Sequence, residues 1–229
     1  NYGGDGIDFN LSDNGNGNGA TNSTGVIDLP FIFNFYGEPY DQISISTNGW
    51  IALGRTDLLS FRNYPIPGAG GPSPMIAAFW DDLETTSSGD VFIYNAGSSF
   101  IVEWSGMKTE NNNSTETFQA ILYDDSVPPY GDNSIKIQYK EFNNTSSGNF
   151  NSYPPIHGGY STIGIENHLA DDGLQYTFNN NYPTAAMPLS DQTSIFITTR
   201  NPVETLLGDA NQDGEVNVID VVVIVNHIV

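Results

Sequence analysis

Short apolar segments separated by Gly, Pro, Asn and Asp run along most of this chain, and several alternate apolar and polar residues with a period of two. Ile43-Ser-Ile-Ser-Thr47 alternates cleanly, meets Asn48-Gly49, and is followed by Trp50-Ile-Ala-Leu53. That order predicts a β-hairpin, because Asn-Gly supplies the positive φ angles that a tight turn needs. Residues 31–36 alternate imperfectly and end at Gly37. Further strands are predicted over residues 75–80, 91–94, 100–104, 117–123, 134–139, 161–166 and 194–199. No helical periodicity of useful length precedes residue 204. Strands at this spacing, joined by turn residues, predict an all-β fold, an antiparallel β-sandwich.

The pattern divides the chain into four parts. Residues 1–25 form a Gly/Asn/Asp-rich N-terminal arm with little apolar surface to offset its ordering entropy. Residues 26–200 form the sandwich, residues 201–208 a linker, and residues 209–229 a short loop–helix appendage. The 13 Phe and 12 Tyr within a 38% apolar composition suffice for a real core. The absence of cysteine removes disulfides from the stabilising terms and leans towards a prokaryotic source.

Charge narrows the range of partners. Six basic residues face 27 acidic ones, for a formal net charge of −21. Such a surface repels nucleic acid and anionic membrane, and no apolar run reaches the roughly 18 residues needed to span a bilayer. It suits a secreted protein that binds divalent cations.

The tail carries the most specific pattern. Asp209, Asn211, Asp213, Glu215, Asn217 and Asp220 occupy positions one, three, five, seven, nine and twelve of a loop with Gly214 at position six. Calcium takes six to eight hard oxygen ligands, and a glycine at that point permits the sharp turn that aims them together. Asp209, Asn211 and Asp213 would bind through side chains, Glu215 through its carbonyl, and Asn217 directly or through water. Asp220 would close the sphere from the start of the following helix. Residues 218–229 then hold nine aliphatic residues in twelve, including Val218, Ile219, Val221, Val222, Ile224, Val225 and Ile228. A helix apolar on every side must be covered. At about 25 cal/mol per Å², burying most of the run contributes on the order of 10 kcal/mol before entropic costs. That is enough to hold two subunits together.

These residues resemble one half of a type I dockerin, the small calcium module of cellulosomal and related bacterial enzymes, in which two such repeats each place Asp at position twelve. One repeat is present here. The resemblance implies calcium as the bound ion and a cohesin-like or sandwich partner, or other copies of the chain, docked on the helix. A second resemblance covers residues 29–180. Leu29-Pro-Phe-Ile-Phe-Asn-Phe-Tyr-Gly37, Ile45-Ser-Thr-Asn-Gly-Trp50, Ile76-Ala-Ala-Phe-Trp-Asp-Asp82, Phe100-Ile-Val-Glu-Trp104, Thr117-Phe-Gln-Ala-Ile-Leu-Tyr123 and Ile163-Gly-Ile-Glu-Asn167 are similar to an extracellular bacterial β-sandwich module and, more distantly, to the nidogen-type (NIDO) domain. That family is generally non-catalytic and found in adhesive or matrix-associated proteins.

Enzymatic candidates do not form a constellation. His157, His168 and His227 lie in unrelated contexts, and no Gly-x-Ser-x-Gly or His-Glu-x-x-His motif is present. Asp81, Asp82, Glu84 and Glu103 are the carboxylates that a glycosidase pair would use. For glycan contact, Trp50 after its turn is the expected exposed platform, with Tyr36 and Tyr40 beside it, whereas Trp80 and Trp104 sit in apolar strands and are expected in the core. Sequons at Asn10, Asn22, Asn112, Asn113, Asn143 and Asn144 are the places where a glycan could be attached. The expectation from the sequence is a secreted, surface- or matrix-associated structural protein. It is ordered by calcium and assembles through its C-terminal helix. The alternative is a carbohydrate-binding or adhesion module of a larger hydrolase.

Overall fold

The computed structural model describes residues 6–14, 23–85, 89–110, 114–126, 131–145 and 160–199. The chain divides into two units, Asn1–Ile197 and Thr198–Val229, and all the described strands belong to the first. The expected calcium loop and apolar helix, residues 209–229, lie outside the described residues.

Among the described residues thirteen strands occur in order: β1 Ile7–Asp8, β2 Thr24–Phe35, β3 Glu38–Ser46, β4 Trp50–Leu53, β5 Met75–Trp80, β6 Leu83–Glu84, β7 Asp90–Asn95, β8 Ser99–Thr109, β9 Thr115–Tyr123, β10 Ile135–Glu141, β11 Thr162–Glu166, β12 Gly173–Phe178 and β13 Ser194–Ile197. They form two antiparallel sheets and, among the described residues, no helix. One sheet runs β1-β7-β8-β9-β10-β13, with β6 also on β8; the other runs β12-β11-β5-β4-β3-β2.

Alternation decides which face is buried. Along β8 and β9, Phe100, Val102, Trp104, Phe118, Ala120 and Leu122 point to the shared core, meeting Ile43, Ile45, Ile76 and Phe79 from the opposite sheet. Phe79 stacks on Phe118 with centroids 5.4 Å apart, and Trp104 on Phe118 at 5.0 Å. Two polar groups cross the core and are satisfied there. Trp104 Nε1 donates to the Ser46 carbonyl at 2.7 Å, and the Tyr139 hydroxyl to that of Ala78 at 2.8 Å. Burial raises the Tyr139 phenol well above its ordinary range, so it stays a donor.

Two hairpins fix the register. In the β2–β3 turn, Tyr36 and Gly37 both take positive φ, 51° and 79°, as a two-residue turn of this hand requires. The Asp132 carboxylate, which comes from the loop before β10, accepts both their amides at 2.9 and 2.8 Å. In the β3–β4 hairpin, Ser46 pairs with Trp50, and Gly49 sits at φ 73°. The Gly49 carbonyl accepts the amides of Ala78 and Phe79, both at 3.0 Å, so this turn is pressed onto β5.

The structure departs from the sequence expectation in two places here. Within residues 1–25, Ile7–Asp8 pairs with β7, and Leu11 and Asp13 are buried. An arm of low apolar content thus packs Phe9 and Leu11 on the core while Ile7 stays exposed. β12 is also present, a strand not among those expected although Leu174-Gln-Tyr-Thr-Phe178 alternates.

Candidate functional site

The burial of β4 and β5 poses the question that leads to the site. All residues of Trp50–Leu53 and Met75–Trp80 are buried, so both faces of these strands are covered. One face meets the shared core. The other carries Trp50, Ala52, Met75, Ala77 and Trp80, which with Ile66 make a second, separate apolar cluster. Its cover is the 21-residue connection 54–74, which contains no regular secondary structure.

Side-chain donors below hold this connection by its backbone. Thr24 Oγ1 donates to the Leu58 carbonyl at 2.9 Å and Asn48 Nδ2 to the Leu59 carbonyl at 3.2 Å. The Ser60 carbonyl takes both indoles, Trp50 Nε1 at 3.2 Å and Trp80 Nε1 at 2.6 Å. Thr162 Oγ1 donates to the Tyr64 carbonyl at 2.9 Å. Ser60 is held at φ 32°, a left-handed conformation that a non-glycine residue keeps only when its surroundings enforce it.

The second half is anchored by one carboxylate. Glu166 Oε2 accepts the Gly68 amide at 2.9 Å and Oε1 the Ser73 hydroxyl at 2.8 Å, while Gln175 Oε1 accepts the Ile66 amide. Burial raises the pKa of Glu166, and these two bonds pull it back. Gly71 is required by proximity, since a Cβ there would lie 2.9 Å from the Trp80 ring.

With three successive carbonyls, those of residues 58–60, turned inward, the side chains of Leu58 and Leu59 are left 50% and 38% exposed. Arg55, Arg62 and Tyr64 are exposed on the same segment, and the Arg62 guanidinium lies over the Phe61 ring at 5.3 Å. This is an ordered apolar and basic surface on a strongly acidic protein.

The residues singled out from sequence fall elsewhere. Trp50, expected as an exposed platform, is fully buried; position after a turn suggests exposure, but the 54–74 connection folds back over its ring. Trp80 and Trp104 are fully buried, as expected. Tyr40 is half-buried against the main core. Tyr36 sits at the β2–β3 turn, its phenol pushed up to about 12 by burial and by Asp172, Asp132 and Glu166.

Asp81 and Asp82 are buried at the end of β5, with the Asp82 amide donating to Asp81 Oδ1 at 2.8 Å. Glu103 belongs to the other sheet and accepts a hydrogen bond from Gln119 Nε2. Glu84 lies in β6, which pairs with β8, the strand that carries Glu103. Among the described residues no group of three His, Cys, Asp or Glu is arranged to hold a metal. Asn144, part of a sequon, is buried and its Oδ1 accepts both the amide and the hydroxyl of Ser161, a structural role that conflicts with carrying a glycan.

Comparison with known proteins gives one relation. The family model described as NIDO related matches residues 10–206, and the chain belongs to that family. No curated protein and no solved structure matches.

Proposed function

We propose that this NIDO-related chain is a non-catalytic, extracellular structural or adhesion module that joins neighbouring chains into a fibre, surface layer or multiprotein complex. The observation that carries this reading is the division of labour in the sandwich. Asp81, Asp82 and Glu103 are buried, and structural hydrogen bonds engage Asp81 and Glu103, whereas apolar side chains are displayed on a loop held rigid from below. Rigid display of apolar side chains suits binding to a partner.

The C-terminal segment supplies an attachment device. Its ligand spacing over residues 209–220 fits calcium, its dockerin-like pattern suggests docking, and its apolar run over residues 218–229 needs a covering partner. Calcium would order the loop and so present the run.

Sedimentation of the full chain with calcium and with a chelator tests this reading. Assemblies that dissociate on chelation, and that fail to form when Asp209 and Asp213 are both changed to Ala, are the expected result. A mass unchanged by either treatment overturns the calcium-dependent attachment.

A further inference from the structure

The surface at residues 55–64 has a counterpart at the other end of the same sheet. Asn167, which comes directly after β11, organises the turn into β12 with its side chain. Its Oδ1 accepts the amides of Leu169 and Asp171, both at 3.2 Å, and of Asp172 at 3.3 Å, while its Nδ2 donates to Asp171 Oδ1 at 2.8 Å. Turning the backbone inward again leaves the Leu169 side chain 64% exposed, and Leu174, just inside the edge strand β12, is 51% exposed. Between them stand the exposed carboxylates of Asp171 and Asp172.

Register places the two surfaces at opposite ends of the six-stranded sheet. Leu58 and Leu59 are held by Thr24 and Asn48, and Thr24 pairs with Ser46 beside the β3–β4 turn. The other turn comes after Glu166, which pairs with Met75, and Met75 pairs with Ala52, away from the β3–β4 turn. Two Leu residues flanked by arginines therefore lie towards one end, and two Leu residues flanking aspartates towards the other.

Charge decides how copies can meet. The chain has three arginines, and two of them, Arg55 and Arg62, lie in this one loop. Residues 54–74 carry two arginines against the single acid Asp57, in a chain whose net charge is −21. The basic surface repels its own twin in a two-fold dimer, but it complements the Asp171–Asp172 turn in charge and in apolar content. We infer that copies of this chain associate head to tail, the Leu58/Leu59/Arg62 surface of one seated on the Leu169/Asp171/Asp172/Leu174 turn of the next. A contact between two different patches at opposite ends repeats without closing and builds an open filament. The inference rests on the assembly reading above but uses a junction that needs neither calcium nor the C-terminal run.

The test uses the full chain in chelator at about 0.15 M salt, where distant repulsion is screened. Sedimentation is measured over a wide concentration range. Two variants are compared with the parent: Leu59→Ser/Arg62→Gln, which spoils the loop surface, and Asp171→Asn/Leu174→Ser, which spoils the turn. Near-ultraviolet circular dichroism of the buried tryptophans shows that each is folded. The parent is expected to grow in mass with concentration, and each variant alone to associate at least ten-fold more weakly. An equal mixture of the two variants keeps one intact junction and should give a dimer and nothing larger. A parent that stays monomeric in chelator overturns the head-to-tail junction, and its assembly in calcium would then leave the C-terminal reading standing. Variants that assemble like the parent, or a mixture that stays monomeric, overturn it as well.

Discussion

Gly49 shows how much a single position can decide. Its φ of 73° is open to glycine at little cost, but the larger constraint is space, because a Cβ there would lie 1.9 Å from the Phe79 carbonyl oxygen. Nothing flexible can yield, since that oxygen belongs to the β5 backbone. Gly49→Ala is expected to destabilise the fold by more than about 3 kcal/mol, through combined φ strain and forced separation of the hairpin from β5; chemical denaturation measures it. Glu116 illustrates a different cost. It is fully buried at the start of β9, where its carboxylate accepts the Ser114 hydroxyl at 2.9 Å and the amides of Asn143 and Asn144 at 2.8 and 3.1 Å. Burial pushes its pKa up to about 7 from 4.5, with Asp191 adding to the rise and the three bonds opposing it. A carboxyl whose folded pKa is raised holds its proton more tightly when folded. Its contribution is therefore full below pH 4.5 and is lost as pH rises through about 7. The loss amounts to at most about 3 kcal/mol. Unfolding midpoints measured from about pH 4.5 to 8 should fall more steeply in the parent than in Glu116→Gln.

At the scale of elements, one physical line separates what is legible in the sequence from what is not. Every strand predicted from alternation or from a short apolar run is present, because period-two patterning records burial on one side. The cover over the second face leaves no such record. Its signal is indirect: Trp50-Ile-Ala-Leu53 and Met75-Ile-Ala-Ala-Phe-Trp80 do not alternate, which means that both faces are buried. Residues 54–74 supply the cover without periodicity, through carbonyl acceptors and glycines that no hydrophobic pattern encodes. Trp50 looks exposed in the sequence for this reason, and Ser60, which ties the cover down, carries no mark there. The shared acceptor makes a prediction. With either indole removed, the Ser60 carbonyl keeps one donor; with both removed it keeps neither, and its φ of 32° loses its restraint. Trp50→Phe and Trp80→Phe should therefore each be tolerated, while the double change costs more than their sum by roughly 1 kcal/mol or more. Trypsin provides the readout, because Arg55 and Arg62 lie in the loop. Cleavage there should accelerate sharply only in the double variant.

Charge acts on the whole molecule rather than through any one contact. With 27 acidic residues against six basic ones, compaction brings like charges together, and several carboxyl groups are held inside the sandwich, including Asp13, Asp81, Asp82, Glu116 and Glu166. Hydrogen bonds from backbone amides and hydroxyls satisfy many of these groups locally, but they do not cancel the long-range repulsion between the remaining acids. The unfolded chain relieves that repulsion by expanding, so it opposes the fold and weakens as ions screen it. Monovalent salt in the presence of chelator should thus raise the melting temperature of the sandwich by several degrees between about 10 and 500 mM, most steeply below about 150 mM, where the Debye length changes most. Using chelator separates screening from specific calcium binding, which would act at far lower ion concentration and saturate. A melting temperature independent of monovalent salt would mean that the acidic residues are spaced widely enough for their repulsion to matter little. The fold would then depend on its packed core and pinned loops alone.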